Sequence, residues 1–247
     1  MRLSIIIPAF HSGVLTDICV KSFCKFCPEN IILDFLIVEN STDITYKDNL
    51  EKSINFPNTF QFINNPTRYI GSEANAQAVE IGLKYNKNDW IFMAHCDTCV
   101  TNPLFYDAFM LKIKEENMLI GTYEDINRIH AIHISGLMVN KKIAESVDYF
   151  PVYEKGNQIL DVGDKLTKYC REHDIKHYCF ENTFGHHPAV LEKGHKFYCV
   201  SAPKCVYNKN VIHMHLGRGV SKTMGTYNKT TGYPLKKWIE FINKEIL

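Results

Sequence analysis

Along the first hundred residues, unbroken apolar runs alternate with stretches whose apolar positions recur at helical spacing. Leu3–Pro8 (LSIIIP) lacks the in-out alternation of a half-exposed strand and reads as a strand covered on both faces. Leu15 to Phe26 carries apolar residues at roughly helical intervals, and Pro28 stops it. Leu33–Val38 is a second buried run and Phe60–Asn64 a third, shorter one. Gly71 to Tyr85 predicts a helix, with Ala74, Ala78, Ile81 and Tyr85 on one face, and Trp90–Ala94 predicts a fourth strand. Such alternation implies parallel βαβ units and an α/β fold. Further on, Pro103 to Glu116 reads as a helix with proline in its first turn, where a missing N–H is harmless. Ile129 to Val139 carries strand-type residues around Gly136, and Asp161 to Glu172 predicts another helix. Val206 to Leu216 reads as a strand and Leu235 to Ile246 as a closing amphipathic helix. No repeat, linker or low-complexity tract interrupts the chain, so residues 1–247 are expected to form one domain.

Composition narrows the classes. The 28 Lys+Arg nearly balance the 27 Asp+Glu, so global charge predicts neither a nucleic-acid partner nor attraction to an anionic membrane. The basic stretches Lys193–Lys196 and Lys204–Lys209 leave room for peripheral membrane contact. No run of about 18 apolar residues occurs, which predicts no transmembrane helix. Leu3–Pro8 is too short for a signal-peptide core, and nine cysteines cannot all pair within one chain. Both features point to a reducing, cytoplasmic compartment. Cys24/Cys27 and Cys96/Cys99 have CxxC spacing, but a four-thiolate zinc site wants rigid loops. The first pair falls late in a predicted helix and the second straddles a strand end, so small buried thiols are the favoured reading.

In an open parallel sheet, ligands bind beyond the carboxyl ends of the strands, where the strand order reverses. Polar or turn-forming residues follow each predicted strand: Pro8-Ala9-Phe10, Glu39-Asn40, Asn64 to Arg68, and His95-Cys96-Asp97. Strand ends are often polar for structural reasons alone, so their joint occurrence is the informative feature.

These segments carry a resemblance. SIIIPAF, LIVENSTD, NNPTRYIGSEANAQAVEIGL and WIFMAHCDTCVTNP occur in the order and spacing of family 2 glycosyltransferases, which have the GT-A fold. The last segment is similar to the LNPDTxVxP stretch of the rhamnosyltransferase-like branch. The resemblance covers about the first 140 residues. It implies a Rossmann-like, mostly parallel sheet flanked by helices, with residues 1–100 as a nucleotide-binding half and 101–247 as an acceptor half plus C-terminal helix. It also implies transfer of a sugar, with inversion, from a UDP-, GDP- or dTDP-linked donor to a glycan, lipid-linked or protein acceptor.

The site residues follow from the same resemblance. Pro8, Ala9 and Phe10 line the donor; Glu39 and Asn40 meet the base or ribose; Arg68 offers a guanidinium fork to the diphosphate. Gly71 and Asn75 allow close approach of backbone and amide. Asp97 takes the place of the metal-binding carboxylate for Mn²⁺ or Mg²⁺, with His95, where the family has an acidic residue or Asn, contacting the donor's ribose or phosphate. That departure puts metal dependence in question. His213-Met214-His215-Leu216-Gly217-Arg218-Gly219 resembles the C-terminal histidine segment, His215 being the expected metal ligand and Arg218 a neutraliser of the diphosphate. Asp161 resembles the general base, with Asp164 the alternative and ordinary helix capping the plain explanation of both. His186-His187-Pro188 sits in a loop that either lines an acceptor site or is a polar turn.

Other classes stay in view. A sugar nucleotidyltransferase would start with a Gly-rich basic loop, which Pro8-Ala9-Phe10-His11-Ser12-Gly13 lacks. A metal hydrolase would need HExxH-like spacing, absent among the eleven histidines. A nucleotide-sugar-binding module without turnover is consistent with the unusual His95-Cys96-Asp97 motif.

Overall fold

The structure is a computed structural model and describes residues 1–55, 57–125, 129–184, 188–225 and 233–247. The first half runs β1 (Arg2–Ala9), α1 (Gly13–Phe26), β2 (Ile32–Glu39), α2 (Lys47–Ser53), β3 (Thr59–Asn64), α3 (Gly71–Tyr85), β4 (Trp90–Ala94) and β5 (Thr98–Val100). The middle contributes α4 (Leu104–Lys114), β6 (Leu119–Gly121), β7 (Glu124–Asp125), β8 (Ala131–Ile132), β9 (Gly136–Asn140) and α5 (Lys141–Ala144). There follow β10 (Val152–Glu154), β11 (Asn157–Leu160), α6 (Asp164–Glu172), β12 (His177–Cys179) and β13 (Glu181–Asn182). The chain closes with β14 (Lys204–Tyr207), β15 (Asn210–His215), α7 (Gly219–Thr223) and α8 (Leu235–Glu245).

Seven strands form the central sheet, in the order β12-β6-β9-β4-β1-β2-β3. β1 to β4 are parallel, as expected for strands linked by helices. β9 alone is antiparallel to its neighbours β4 and β6, and β12 runs parallel to β6. Helices cover both faces. Ile5 and Ile7 join Cys19, Val20 and Phe23 of α1, while Ile6 joins Ala76 and Val79 of α3. The period of two along β1 thus divides one apolar run between two cores, which is why the run shows no polar gaps. A second, antiparallel sheet, β13-β14-β15-β5, packs beside the first.

Three sequence expectations change. The single strand expected over 206–216 is the hairpin β14–β15, turned at Asn208 (φ 48°) and Lys209 (φ 62°). Two consecutive left-handed residues make a turn whose twist matches the paired strands. The strand expected over 129–139 is two strands, β8 and β9, which belong to different sheets and are broken at His133–Ser135. The helix expected from Asp161 begins at Asp164, because Gly163 adopts φ 84° and interrupts helical geometry. Helix α2 and the hairpin β10–β11 have no counterpart in the sequence reading.

Candidate metal and nucleotide site

The sheet divides where the chain reverses direction of growth. β1 connects through α1 and β2 toward β3, and the chain then returns through α3 to place β4 on the other side of β1. Pairing of β1 with β2 continues to Ala9 and Glu39, whereas pairing with β4 stops at Ile6 and Met93. The carboxyl ends of β1 and β4 therefore part and leave a crevice of the kind that receives ligands in open α/β sheets. Pro8, Ala9 and Phe10 close β1 on the side of this crevice, Ala9 being buried and the Phe10 N–H held by Ser12 Oγ at 3.3 Å. His95, Cys96 and Asp97 follow β4, with Cys96 buried in the core beside α1.

The second sheet brings the C-terminal histidines to this crevice. β5 starts directly after Asp97 and pairs antiparallel with β15, placing His215 opposite Thr98 and His213 opposite Val100. Leu216 N–H reaches back to the Asp97 carbonyl at 2.9 Å. In this register His215 Nε2 lies 3.2 Å from Asp97 Oδ1, across 118 residues of chain. Asp97 is 3% exposed and His215 8%. Asp97 Oδ2 accepts the Gly219 N–H at 2.8 Å. A Cβ on residue 219 would stand 2.4 Å from Asp97 Cβ, so only glycine permits this approach. Burial works against ionisation of Asp97, but His215, His95 and the Gly219 N–H together hold its carboxyl below the ordinary carboxylate range.

His95 completes the cluster. Its ring lies 5.4 Å, centroid to centroid, from that of His215, and its Nε2 is 2.9 Å from Asn75 Nδ2 on α3. Burial, then the neighbouring His215, lower its pKa to about 4, with Asp97 and Asp161 acting in the opposite sense. One ligand atom each from His95, Asp97 and His215 lie within 4.8 Å of one another, the one group of three such residues among those described. Asn75 Oδ1 is buried without a partner. Turning the amide over would set that oxygen against a His95 Nε2–H and leave Nδ1 with its lone pair, the arrangement a ligating histidine needs. Two imidazoles and a carboxylate fit Mn²⁺; Mg²⁺, which favours oxygen, would draw the rest of its shell from phosphate and water.

The other expected residues separate into two kinds. Glu39 is 0% exposed, and both its oxygens are occupied: Oε1 accepts the Ser41 N–H at 2.8 Å and Oε2 the Tyr46 hydroxyl at 2.5 Å. Its carboxylate ties down the loop after β2 through these two bonds. Asn40 likewise ties elements together, donating to the Ala74 carbonyl at 2.9 Å and accepting from Asn65 Nδ2 at 2.9 Å. By contrast, Arg68, Gly71 and Arg218 are exposed, Gly71 and Arg218 with left-handed backbones of φ 55° and 60°. Asp161 is half-buried just before α6, its field reaching His95. Asp164 is 1% exposed, with Oδ2 accepting the Asp161 N–H at 2.8 Å. His186 and His187 lie outside the described residues.

His213 shares the face of His215 but not its surroundings. It is packed against Phe92 and Phe105, each 6.0 Å away, its Nε2 has no partner, and burial takes its pKa down to about 3. The nine cysteines are free thiols. Burial pushes Cys24 and Cys99 up to about 12, far from the thiolate that zinc binding requires.

Sequence reading missed Tyr123, His133 and Ser135, and gave no role to Gly219 at the end of the His213–Gly219 segment. Tyr123 OH touches His215 Nδ1 at 2.7 Å, and His133 stacks on the Tyr123 ring at 4.7 Å. No motif marks Tyr123, His133 or Ser135, since they come from the break between β8 and β9 and from the loop after β6.

No protein-family model matches this chain, and no curated protein matches it. Among solved structures, it is similar to a mannosyltransferase of Pyrobaculum calidifontis in complex with GDP-Man and Mn²⁺. That likeness has a TM-score of 0.55 at 8% identity, over 80% of this chain and 59% of the other. It is also similar to glucosyl-3-phosphoglycerate synthase of Mycobacterium tuberculosis in complex with Mn²⁺ and UDP-glucose. Here the TM-score is 0.50 at 10% identity, over 72% of this chain and 68% of the other. This chain thus spans just under three fifths of the first relative's length and about two thirds of the second's. The architecture is the GT-A fold of nucleotide-sugar transferases.

Proposed function

We propose that this chain is a metal-assisted glycosyltransferase, using a nucleoside-diphosphate sugar and residues 1–247 as one functional unit. The observation that carries the proposal is the convergence of His95, Asp97 and His215 at the crevice where β1 and β4 part. The fold is one that nucleotide-sugar transferases share, and the donor set supplies the chemistry.

In this reading Asp97, His215 and His95 hold a divalent cation against the donor phosphates. When bound, that cation would neutralise charge growing on the leaving nucleoside diphosphate. Pro8–Phe10 and Asn75 border the donor, while the exposed guanidinium groups of Arg68 and Arg218 stand free to meet phosphate oxygens. Asp161 accepts the proton of the acceptor hydroxyl as its oxygen bonds to the anomeric carbon and the phosphate oxygen departs. Asp161 is preferred over Asp164, whose carboxylate is buried and bonded to the Asp161 backbone. Inversion, a rhamnosyltransferase-like donor preference and a glycan or lipid-linked acceptor rest on the sequence resemblance. A cytoplasmic location is consistent with nine free thiols, and no helix among the described residues is long and apolar enough to cross a membrane.

Thermal unfolding with UDP, GDP and dTDP, each with and without Mn²⁺, tests the site. Stabilisation by at least one diphosphate only when Mn²⁺ is present is expected; no stabilisation by any of them would sink the proposal. Asp161→Asn should retain that stabilisation and abolish transfer, and persisting turnover would remove Asp161 as the base.

A further inference from the structure

We propose that the surface formed by residues 188–199 and the outer face of α8 docks on an anionic phospholipid membrane. The proposal does not depend on the cation site above.

The balanced total charge conceals a division along the chain. Residues 189–247 hold ten Lys+Arg against three Asp+Glu, whereas residues 1–188 hold 18 against 24. The C-terminal quarter is thus positive by seven charges and the rest negative by six. Such a division turns the positive end toward an anionic surface and holds the other end away. Two of these cations are used elsewhere. Arg218 borders the crevice, and Lys204 is buried, donating to the carbonyls of Val200 and Ala202.

Packing gathers others on one surface. Trp238 and Ile242 of α8 share a core cluster with Phe197, Val200 and the half-buried Leu191, which fixes the 188–200 segment against the helix. The Phe197 and Phe241 rings lie 5.6 Å apart, and Lys196 Nζ stands 4.8 Å from the Phe197 centroid. Lys237 precedes Phe241 by one helical turn and so borders the same aromatic seam. Glu240 and Glu245 stand 3.9 Å and 3.4 Å from Lys236 and Lys244. The exposed Lys193, Lys196 and Lys237 make no ion pair among the described residues, the nearby Glu192 included.

Beside these lysines the segment exposes apolar surface: Val190 is 91% exposed and Tyr198 49%. Lysines alone would serve any polyanion. Lysines next to an exposed aliphatic and an exposed aromatic side chain match the layers of a bilayer, where ammonium groups meet lipid phosphates and apolar groups enter the interface. A nucleic acid offers no such layer to Val190.

Flotation of the full chain with vesicles tests the surface. Vesicles of equal parts phosphatidylcholine and phosphatidylserine should carry the protein, pure phosphatidylcholine should not, and rising salt should weaken the binding. Each lysine near such a surface is worth about fivefold in partitioning, so Lys193→Ala, Lys196→Ala and Lys237→Ala combined should lower it about 100-fold. Lys142→Ala with Lys168→Ala, on α5 and α6 in the other core, should leave it unchanged. Val190→Ser with Tyr198→Ser keeps every charge and should still lower it about tenfold. Thermal unfolding checks that each variant is folded, and its response to nucleoside diphosphate with Mn²⁺ should match the wild type's. A wild type that ignores phosphatidylserine vesicles, or a triple variant that binds them undiminished, overturns the proposal. So does an oligodeoxynucleotide that displaces the vesicles while the Val190→Ser, Tyr198→Ser variant binds them in full, since the surface is then a general polyanion site. Vesicle binding by a protein that gains no stability from nucleotide and Mn²⁺ keeps this surface and removes the transferase reading.

Discussion

Glu39, the last residue of β2, and Asp97, just beyond β4, are both buried carboxylates at the ends of parallel strands of one sheet, yet they end in opposite situations. Glu39 receives its two donors from Ser41 and Tyr46, within seven residues of itself. Asp97 receives its partners from Gly219 and His215, more than a hundred residues away. A carboxylate satisfied by its own loop stabilises that loop. One whose partners arrive from a distant strand, with imidazole nitrogens as neighbours, is placed where a cation can join. Position at a strand end does not separate the two; the origin of the partners does.

The contrast can be broken by exchanging charge for a neutral isostere. Asp97→Asn should lower Mn²⁺-dependent nucleotide affinity by about 100-fold or more while leaving the fold intact. Glu39→Gln should do the reverse. One donor of the pair Ser41 N–H and Tyr46 O–H would meet an amide N–H₂, at a cost of about 1–3 kcal/mol in unfolding free energy. Its Mn²⁺-dependent affinity in the folded state should be unchanged. Denaturant unfolding and nucleotide titration on both variants decide the matter, and matching losses of affinity would erase the distinction.

A milder perturbation sharpens it from the partner side. Gly219→Ala introduces a methyl 2.4 Å from Asp97 Cβ, so α7 or Asp97 must shift. Metal affinity should drop by about tenfold, since the carboxylate loses its fixed orientation. Unchanged affinity by Mn²⁺ titration would mean that the Gly219 approach is incidental.

The smallest effect belongs to Asp34, a carboxylate near the opposite end of β2. It is bonded by Arg2 Nη2 at 2.7 Å, Asn88 Nδ2 at 2.7 Å and the Thr59 hydroxyl. Burial opposes its ionisation, but these partners leave its pKa below the usual value. A lowered folded-state pKa contributes stability that is present above the unfolded value of about 4 and is lost as pH falls through the folded one. Asp34→Asn should therefore lower Tm by at most about 2–4 °C at pH 7, the pair being close to solvent. The difference should vanish in acid. A difference of the same size at pH 2 would place its cause outside ionisation.

Much of the fold was legible because local rules suffice for it. α3 and β4 have the bounds that the apolar runs predicted, although α3 buries Ala76, Ala78, Val79 and Gly82 where Ala74, Ala78, Ile81 and Tyr85 were expected to share a face, and Tyr85 is exposed. The hairpin β14–β15 was read as one strand because Asn208 and Lys209 are not Gly and their left-handed backbones leave no strong mark in sequence. The Asp97 and His215 pair was nameable from motifs, but its geometry was not. It depends on the register of β5 against β15, two strands more than a hundred residues apart in the chain.

The order of strands and helices, the double-sided burial of β1 and the polar residues beyond the strand ends belong to the sequence itself, because each follows from side-chain type at fixed local spacing. Which polar residues face the crevice was decided only in three dimensions. Glu39 accepts from Ser41 and Tyr46 of its own loop, and His213 is enclosed by Phe92 and Phe105. Tyr123, His133 and Ser135 came together behind His215 because hydrogen-bond partners at large separation are fixed by packing, which no local pattern encodes.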